Sequence, residues 1–191
     1  MIDAGIYRAV TDFAAAQHWL AGVGIAVAEY GVFLVVPVVL ALLWRARGRG
    51  AYALAAAVWV PLSMAVAFAV DTGLKSLFAE IRPCRVVAGV QPLLPCDGPT
   101  DYAFPSNHTV LAAAFATALF LLHHRWGWWA ASFAVLIGVS RVYVGAHYPH
   151  DVLGAFAVGV AVGLLGVAVR PLLSRLLERC APASAGRSED R

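Results

Sequence analysis

This sequence has little charge: only 13% of its 191 residues are Asp, Glu, Lys or Arg, against 61% hydrophobic, and the mean hydropathy is +0.76. A water-soluble domain of this size cannot hide so much apolar surface, so a soluble globular fold is excluded and one compact bundle in a bilayer is expected. The formal net charge of +3 forms no basic patch for nucleic acid, because most basic residues flank apolar runs. The three cysteines show no metal-ligand spacing, and no carboxylate cluster suited to magnesium stands out. No metal or other cofactor is therefore expected. Residues 1–18 lack a basic start, and the apolar run after them is too long for the core of a cleavable signal peptide, so insertion of the whole chain is expected. No internal repeat is visible.

Apolar runs near the ~20 residues that cross a bilayer dominate what is there. They predict an all-α polytopic membrane helix bundle with about five spans, near 21–44, 52–78, 105–125, 128–141 and 150–170. Residues 1–19 carry Ile6, Val10, Phe13 and Ala14 at helical spacing, which predicts an amphipathic helix in the interface. A frayed terminus is the alternative. Residues 82–104, broken by Pro83, Pro92, Pro95 and Pro99, read as a non-helical loop, residues 1–175 as a single domain and residues 176–191 as a polar cytoplasmic tail. In an alternating five-span arrangement Arg45, Arg47, Arg49, Arg125, Arg170, Arg175, Arg179, Arg187 and Arg191 share one side, the cytoplasm by the positive-inside rule. Lys75, Arg82, Arg85, His108, Arg141, His147 and Asp151 then face outward.

The stretch 140–151, Ser-Arg-Val-Tyr-Val-Gly-Ala-His-Tyr-Pro-His-Asp, puts reactive polar groups where an apolar helix should continue. Pro149 suits the first turn of a helix, so Asp151 lies about one turn past His147 and can accept its ring N–H. That fixes the tautomer and frees the other nitrogen as nucleophile or base. Arg141 offers a planar, permanently charged fork for an anion. An interfacial loop with a snorkelling Arg and a capping Asp remains the alternative. Lys75 and Arg82, two helical turns apart, can point one way, although snorkelling explains either singly. Pro105-Ser106-Asn107-His108 opens a helix whose free N–H groups can cradle phosphate, or is simply an N-cap. Their conjunction at one boundary is the stronger signal.

These three segments resemble the signature of the type 2 phosphatidic acid phosphatase superfamily, with Lys75 to Arg82-Pro83, Pro105-Ser106-Asn107-His108, and Ser140-Arg141 followed by His147 and Asp151. Asn107 stands where that signature usually has Gly. Together with Glu29-Tyr30 and the run from Ser140 to Pro149, it is similar to the bacterial undecaprenyl-diphosphatases of the bacitracin-resistance type. The resemblance implies that His147 attacks phosphorus to give a phosphohistidine, that Asp151 orients it and that His108 protonates the leaving group. It further implies that Lys75, Arg82, Ser106, Arg141 and the backbone N–H of Asn107 hold the phosphoryl oxygens without metal. The expected activity is hydrolysis of undecaprenyl diphosphate to the monophosphate in recycling of the cell-wall carrier lipid, with the membrane lipid as partner. Phosphatidic acid, phosphatidylglycerol phosphate or another prenyl phosphate is the alternative substrate, and a lipid or ion transporter is the alternative of a different class.

Glu29 and Asp71 are ionisable residues within or near the spans, where such residues usually mark function; a supporting role is expected for both, although Asp71 could simply pair with Lys75. Cys84 and Cys96 share the outer loop and an oxidising compartment, so they are expected to form a disulfide, two free thiols being the alternative. Gly159 and Gly163 read as a close helix-packing pair.

Overall fold

The computed structural model describes residues 3–180, and the regular structure among them is helical. The order is α1 (Ala4–Ala16), α2 (His18–Tyr30), a 3-10 turn (Gly31–Leu34), α3 (Val35–Ala46), α4 (Ala51–Phe78), the one-turn α5 (Pro83–Val86), α6 (Asn107–Leu122), α7 (His124–Tyr143), α8 (Pro149–Leu164) and α9 (Gly166–Cys180). Residues 176–180 of the expected tail continue α9. The rest of it, with Arg187 and Arg191, lies outside the described residues.

Three helical stretches are long and apolar enough to cross a membrane: His18–Ala46, Ala51–Val86 and Pro149–Cys180. This corrects the expectation of about five spans. At 16 residues α6 is about 24 Å long, short of a hydrocarbon core of about 30 Å. Helix α7 has 20 residues but opens on His124-Arg125 and carries Ser140 and Arg141 near its end, so its apolar part is shorter still. The segment expected to be a loop also contains α5, started by Pro83 at a first-turn position.

Helix α6 is the centre of the bundle, packed by α4, α7 and α8. Its buried face is rich in small residues, Ala112, Ala113, Ala114, Ala116 and Ala118, with Phe115 and Leu119 filling gaps. Small side chains let backbones approach closely. A Cβ on Gly159 of α8 would stand 2.7 Å from the Val110 carbonyl oxygen and 2.9 Å from the Ala114 nitrogen, and one on Gly163 would meet Thr117 Cβ at 2.6 Å. The glycine pair therefore packs α8 on α6. Trp59 of α4 ties in the same region, its indole N–H donating to the Gly163 carbonyl at 3.1 Å. Large apolar side chains such as Trp19, Leu77, Trp129, Leu153 and Val167 line the outside, as lipid contact requires.

Helix α1 exposes Ile6 and Phe13 on one face, as an interfacial helix should. Its other face is docked, with Asp3, Tyr7, Thr11 and Ala14 buried. The bundle has two chemically different ends. Arg45, Arg49 and Arg170 meet His123 around one cavity at the α3–α4 turn. Lys75 lies 24 residues along α4 from Ala51, about 36 Å away at 1.5 Å per residue. The second end holds the site.

Candidate active site

Five helix ends and one tight turn build the distal end of the bundle. Lys75 closes α4, Arg82 precedes α5, Ser106 precedes α6 with Asn107 and His108 in its first turn, Arg141 closes α7, and Asp151 lies in the first turn of α8. His147 sits in the tight turn between α7 and α8. That turn is folded by Gly145 N–H to Val142 O, Ala146 N–H to Arg141 O and His147 N–H to Arg141 O bonds, of 3.0, 3.1 and 3.3 Å. It requires glycine at 145, where φ is +83° and a Cβ would stand 2.9 Å from Pro92 Cα.

A cavity of about 400 Å³ opens here, and His108, His147, Arg82, Arg141, Asn107 and Glu29 all line it. Lys75, Ser106 and Asp151 are absent from its lining and lie buried in the wall. The Lys75 ammonium, the only one in a chain with a single lysine, donates to the carbonyls of Tyr102 at 2.6 Å and Ala103 at 3.5 Å. Ser106 makes no side-chain cap; its hydroxyl oxygen accepts from Thr109 Oγ1 at 3.1 Å. Ser106 thus leaves the first-turn N–H groups of α6 without a side-chain cap from its hydroxyl. Asp71 is fully buried with both carboxylate oxygens unpartnered, so it does not hydrogen-bond Lys75.

The two guanidinium groups are held by backbone carbonyls and by the carboxylates of Glu29, Asp97 and Asp101, which share the lining of the cavity. Arg141 donates to the Ala28 carbonyl at 3.0 Å and to Glu29 Oε1 at 2.8 Å. Those acceptors lie just before the 3-10 turn that interrupts the first span. Arg82 donates from Nε to the Asp101 carbonyl and from Nη1 to the Ala146 carbonyl, both at 3.1 Å, and pairs with the carboxylates of Asp97 and Asp101. Both arginines are 5% exposed or less, so two desolvated positive charges share one small space with the carboxylates of Glu29, Asp97 and Asp101.

His147 is 2% exposed, and its Nδ1 lies 3.4 Å from Asp151 Oδ2, long for a hydrogen bond. The same Oδ2 accepts the Tyr148 N–H at 2.7 Å, which anchors the carboxylate at the start of α8. Burial first, then the charges of Arg141, Arg82 and Lys75, hold His147 well below the ordinary histidine range. It is therefore neutral near pH 7, the form with a lone pair to donate.

Several contributors carry no periodicity by which sequence could find them. Asp97 and Asp101 come from the proline-rich loop, which Cys84 and Cys96 close as a disulfide with their Cα atoms 6.0 Å apart. Leu93 N–H donates to the Val144 carbonyl at 3.0 Å, laying that loop on the His147 turn. From the other side Tyr7 donates to the Gly145 carbonyl at 3.0 Å; burial pushes its hydroxyl up to about 12, so it stays a donor. His150, inside the signature stretch, carried no assigned role.

Comparison with known proteins adds an independent line. The model of the PAP2 superfamily matches residues 56–175. The undecaprenyl-diphosphatase of Sulfolobus acidocaldarius is 30% identical over 154 residues, 78% of this chain and 70% of that one. The undecaprenyl-diphosphatase BcrC of Bacillus subtilis is 39% identical over 89 residues, 47% of this chain and 45% of that one. In fold, the chain is similar to a crystal structure of a PAP2-type phosphatidylglycerolphosphate phosphatase from Bacillus subtilis, with a TM-score of 0.64, 21% identity and coverage of 94% of this chain and 88% of that one.

Proposed function

The chain belongs to the PAP2 superfamily and is a membrane phosphatase acting on a phosphate-bearing lipid; from that premise we propose that its substrate is a prenyl diphosphate of the undecaprenyl class. The observation that carries the chemistry is the convergence of His108, His147, Arg82 and Arg141 on one cavity. His147 Nε2 attacks the terminal phosphorus as the bond to the bridging oxygen breaks, which releases the lipid monophosphate and leaves a phosphohistidine. Water then attacks that phosphorus, freeing inorganic phosphate and the imidazole. Asp151 orients His147 through Nδ1. Arg82, Arg141 and the α6 N-terminus at Asn107 stabilise the equatorial oxygens, with Lys75 and Ser106 supporting them from the wall. Glu29 aims the Arg141 fork. Residues 1–175 act as one catalytic unit, and the cation set makes the reaction independent of metal.

The prenyl diphosphate reading rests on the two named relatives and on Asn107. A transporter reading has less support, because the polar groups gather at one end and the α6 core below them is apolar.

The leaving group tests substrate and mechanism together. A prenyl diphosphate expels a phosphate monoester whose second pKa is about 6 and which needs little protonation. Phosphatidic acid expels an alkoxide, which depends strongly on an acid. His108→Ala is therefore expected to lower kcat/KM distinctly less on a prenyl diphosphate than on phosphatidic acid, with wild-type turnover unchanged in EDTA. Equal losses on both would make His108 a phosphate ligand, and loss in EDTA restored by magnesium would end the metal-free mechanism.

We further propose that the site faces the extracytoplasmic side, because the arginine-rich end of the bundle is the opposite one. In intact cells a membrane-impermeant maleimide should label a Gln91→Cys variant on the outer loop while leaving Cys180, exposed at the end of α9, unlabelled. The reverse pattern would invert the topology.

A further inference from the structure

On the far side of Asp151 from the cavity, side chains from three segments meet at one imidazole. Asp3 precedes α1, Glu80 follows α4, and His150 and Asp151 lie in the first turn of α8. His150 Nδ1 lies 3.0 and 2.9 Å from the two oxygens of Asp3, and its backbone N–H donates to Asp3 Oδ2 at 2.9 Å. His150 Nε2 lies 3.0 Å from both oxygens of Glu80 and 3.4 Å from Asp151 Oδ1. Asp151 is completely buried, and its Oδ1 has no hydrogen-bond partner.

An imidazolium shared between carboxylates explains the contacts with Asp3 and Glu80 but not the orphaned oxygen. One proton on Nε2 directed at Glu80 leaves Asp151 Oδ1 unbonded, whereas an ion among the three satisfies all of them. The spacing suits such an ion. Bonds of about 2.0–2.1 Å at tetrahedral angles put ligand atoms about 3.3 Å apart. Nε2 lies 3.0 and 3.4 Å from its two oxygen neighbours, and the three donor atoms fall within 4.8 Å of one another. Asp3 completes the pattern, since a carboxylate on the second ring nitrogen fixes a metal-binding histidine in the tautomer that leaves Nε2 free. With a neutral imidazole, the carboxylates of Glu80 and Asp151 match the charge of a divalent ion.

We propose that Glu80, His150 Nε2 and Asp151 Oδ1 form a binding site for a divalent cation of the zinc class, oriented by Asp3 and with one coordination position open. Its effect on hydrolysis is inhibitory. Asp151 turns its other oxygen toward His147, and an ion on Oδ1 draws charge from the carboxylate that orients the nucleophile. His150 and Glu80 are both part-exposed, so the ion can reach the site from the loop surface.

The test uses the full chain, purified without a polyhistidine tag, stripped with EDTA, and titrated with Zn²⁺ by calorimetry and with Co²⁺ by visible absorption. One Zn²⁺ per chain is expected, with Co²⁺ bands of four-coordinate intensity. His150→Gln and Glu80→Gln should each remove this event, and Asp3→Asn, which keeps all three ligands, should weaken it about 10- to 100-fold. Zn²⁺ should slow hydrolysis by wild type at the concentrations that fill the site and spare Glu80→Gln. Calorimetry reads binding whatever lipid the enzyme prefers. Thermal unfolding of Glu80→Gln, altered at a part-exposed side chain, checks that lost binding is not lost folding. Unchanged Zn²⁺ affinity in both ligand variants, or no binding to wild type, overturns the proposal.

Discussion

Replacing His147 with alanine is expected to remove turnover on every lipid phosphate, by a factor on the order of 10⁴ to 10⁶, the scale seen when an enzyme loses its nucleophile or base. The side chain is 2% exposed at the floor of the cavity, and burial beside three cations keeps it neutral near pH 7. His108, the other imidazole lining the cavity, comes from the first turn of α6, and as the leaving-group acid it is not expected to take over the attack. Trapping separates a chemical loss from a structural one. Wild type quenched during turnover should carry acid-labile phosphate on His147, and His147→Gln, which keeps much of the volume, should carry none while unfolding at a similar temperature. Asp151→Asn should still form the phosphoenzyme, but slowly. Residual activity of His147→Ala above about one hundredth of wild type would remove this residue from the nucleophile's role, since no nucleophile loss is that mild.

Arg141→Lys is expected to lower kcat/KM by about 10²- to 10³-fold, comparable to removal of an oxyanion donor, although the charge is retained. The guanidinium is anchored by the Ala28 carbonyl and Glu29 and spans from those acceptors to the cavity. An ammonium can meet the anchor or the phosphate, but it lacks the planar fork that meets both. Glu29→Gln retains an acceptor for the anchor and should cost much less than Arg141→Lys. A loss as large as that of Arg141→Lys would give Glu29 a direct part in the reaction beyond aiming the arginine.

Sequence spacing revealed which residues could meet, because the end of a helix or a tight turn turns linear separation into direction. Pro149 starts α8, Ser106 precedes α6, Gly145 bends the chain between α7 and α8, and these ends bring His108, Arg141 and His147 to one cavity. Hydropathy was less informative about what each apolar run faces. Ala112 to Ala118 of α6 read as a span, yet that helix is apolar because other helices cover it, and its 16 residues are too few to cross the core. The docked face of α1 was hidden for the opposite reason: Tyr7 and Thr11 are polar, and the Gly145 carbonyl and the Tyr148 ring, far away in the chain, explain why Tyr7 is buried. Glu80, Asp97 and Asp101 act through partners that no local period encodes.

The attachment of α1 also sets an order of assembly. Tyr7 and Gly145 are 138 positions apart, and Asp3 and His150 are 147 apart. Helix α1 leaves the ribosome before α7 and α8 and therefore waits, without these partners, until the turn between them has been made. Contacts of such long separation form only after most of the chain has lost its freedom. The turn that carries His147 is thus fastened late in biogenesis, once the rest of the bundle is in place.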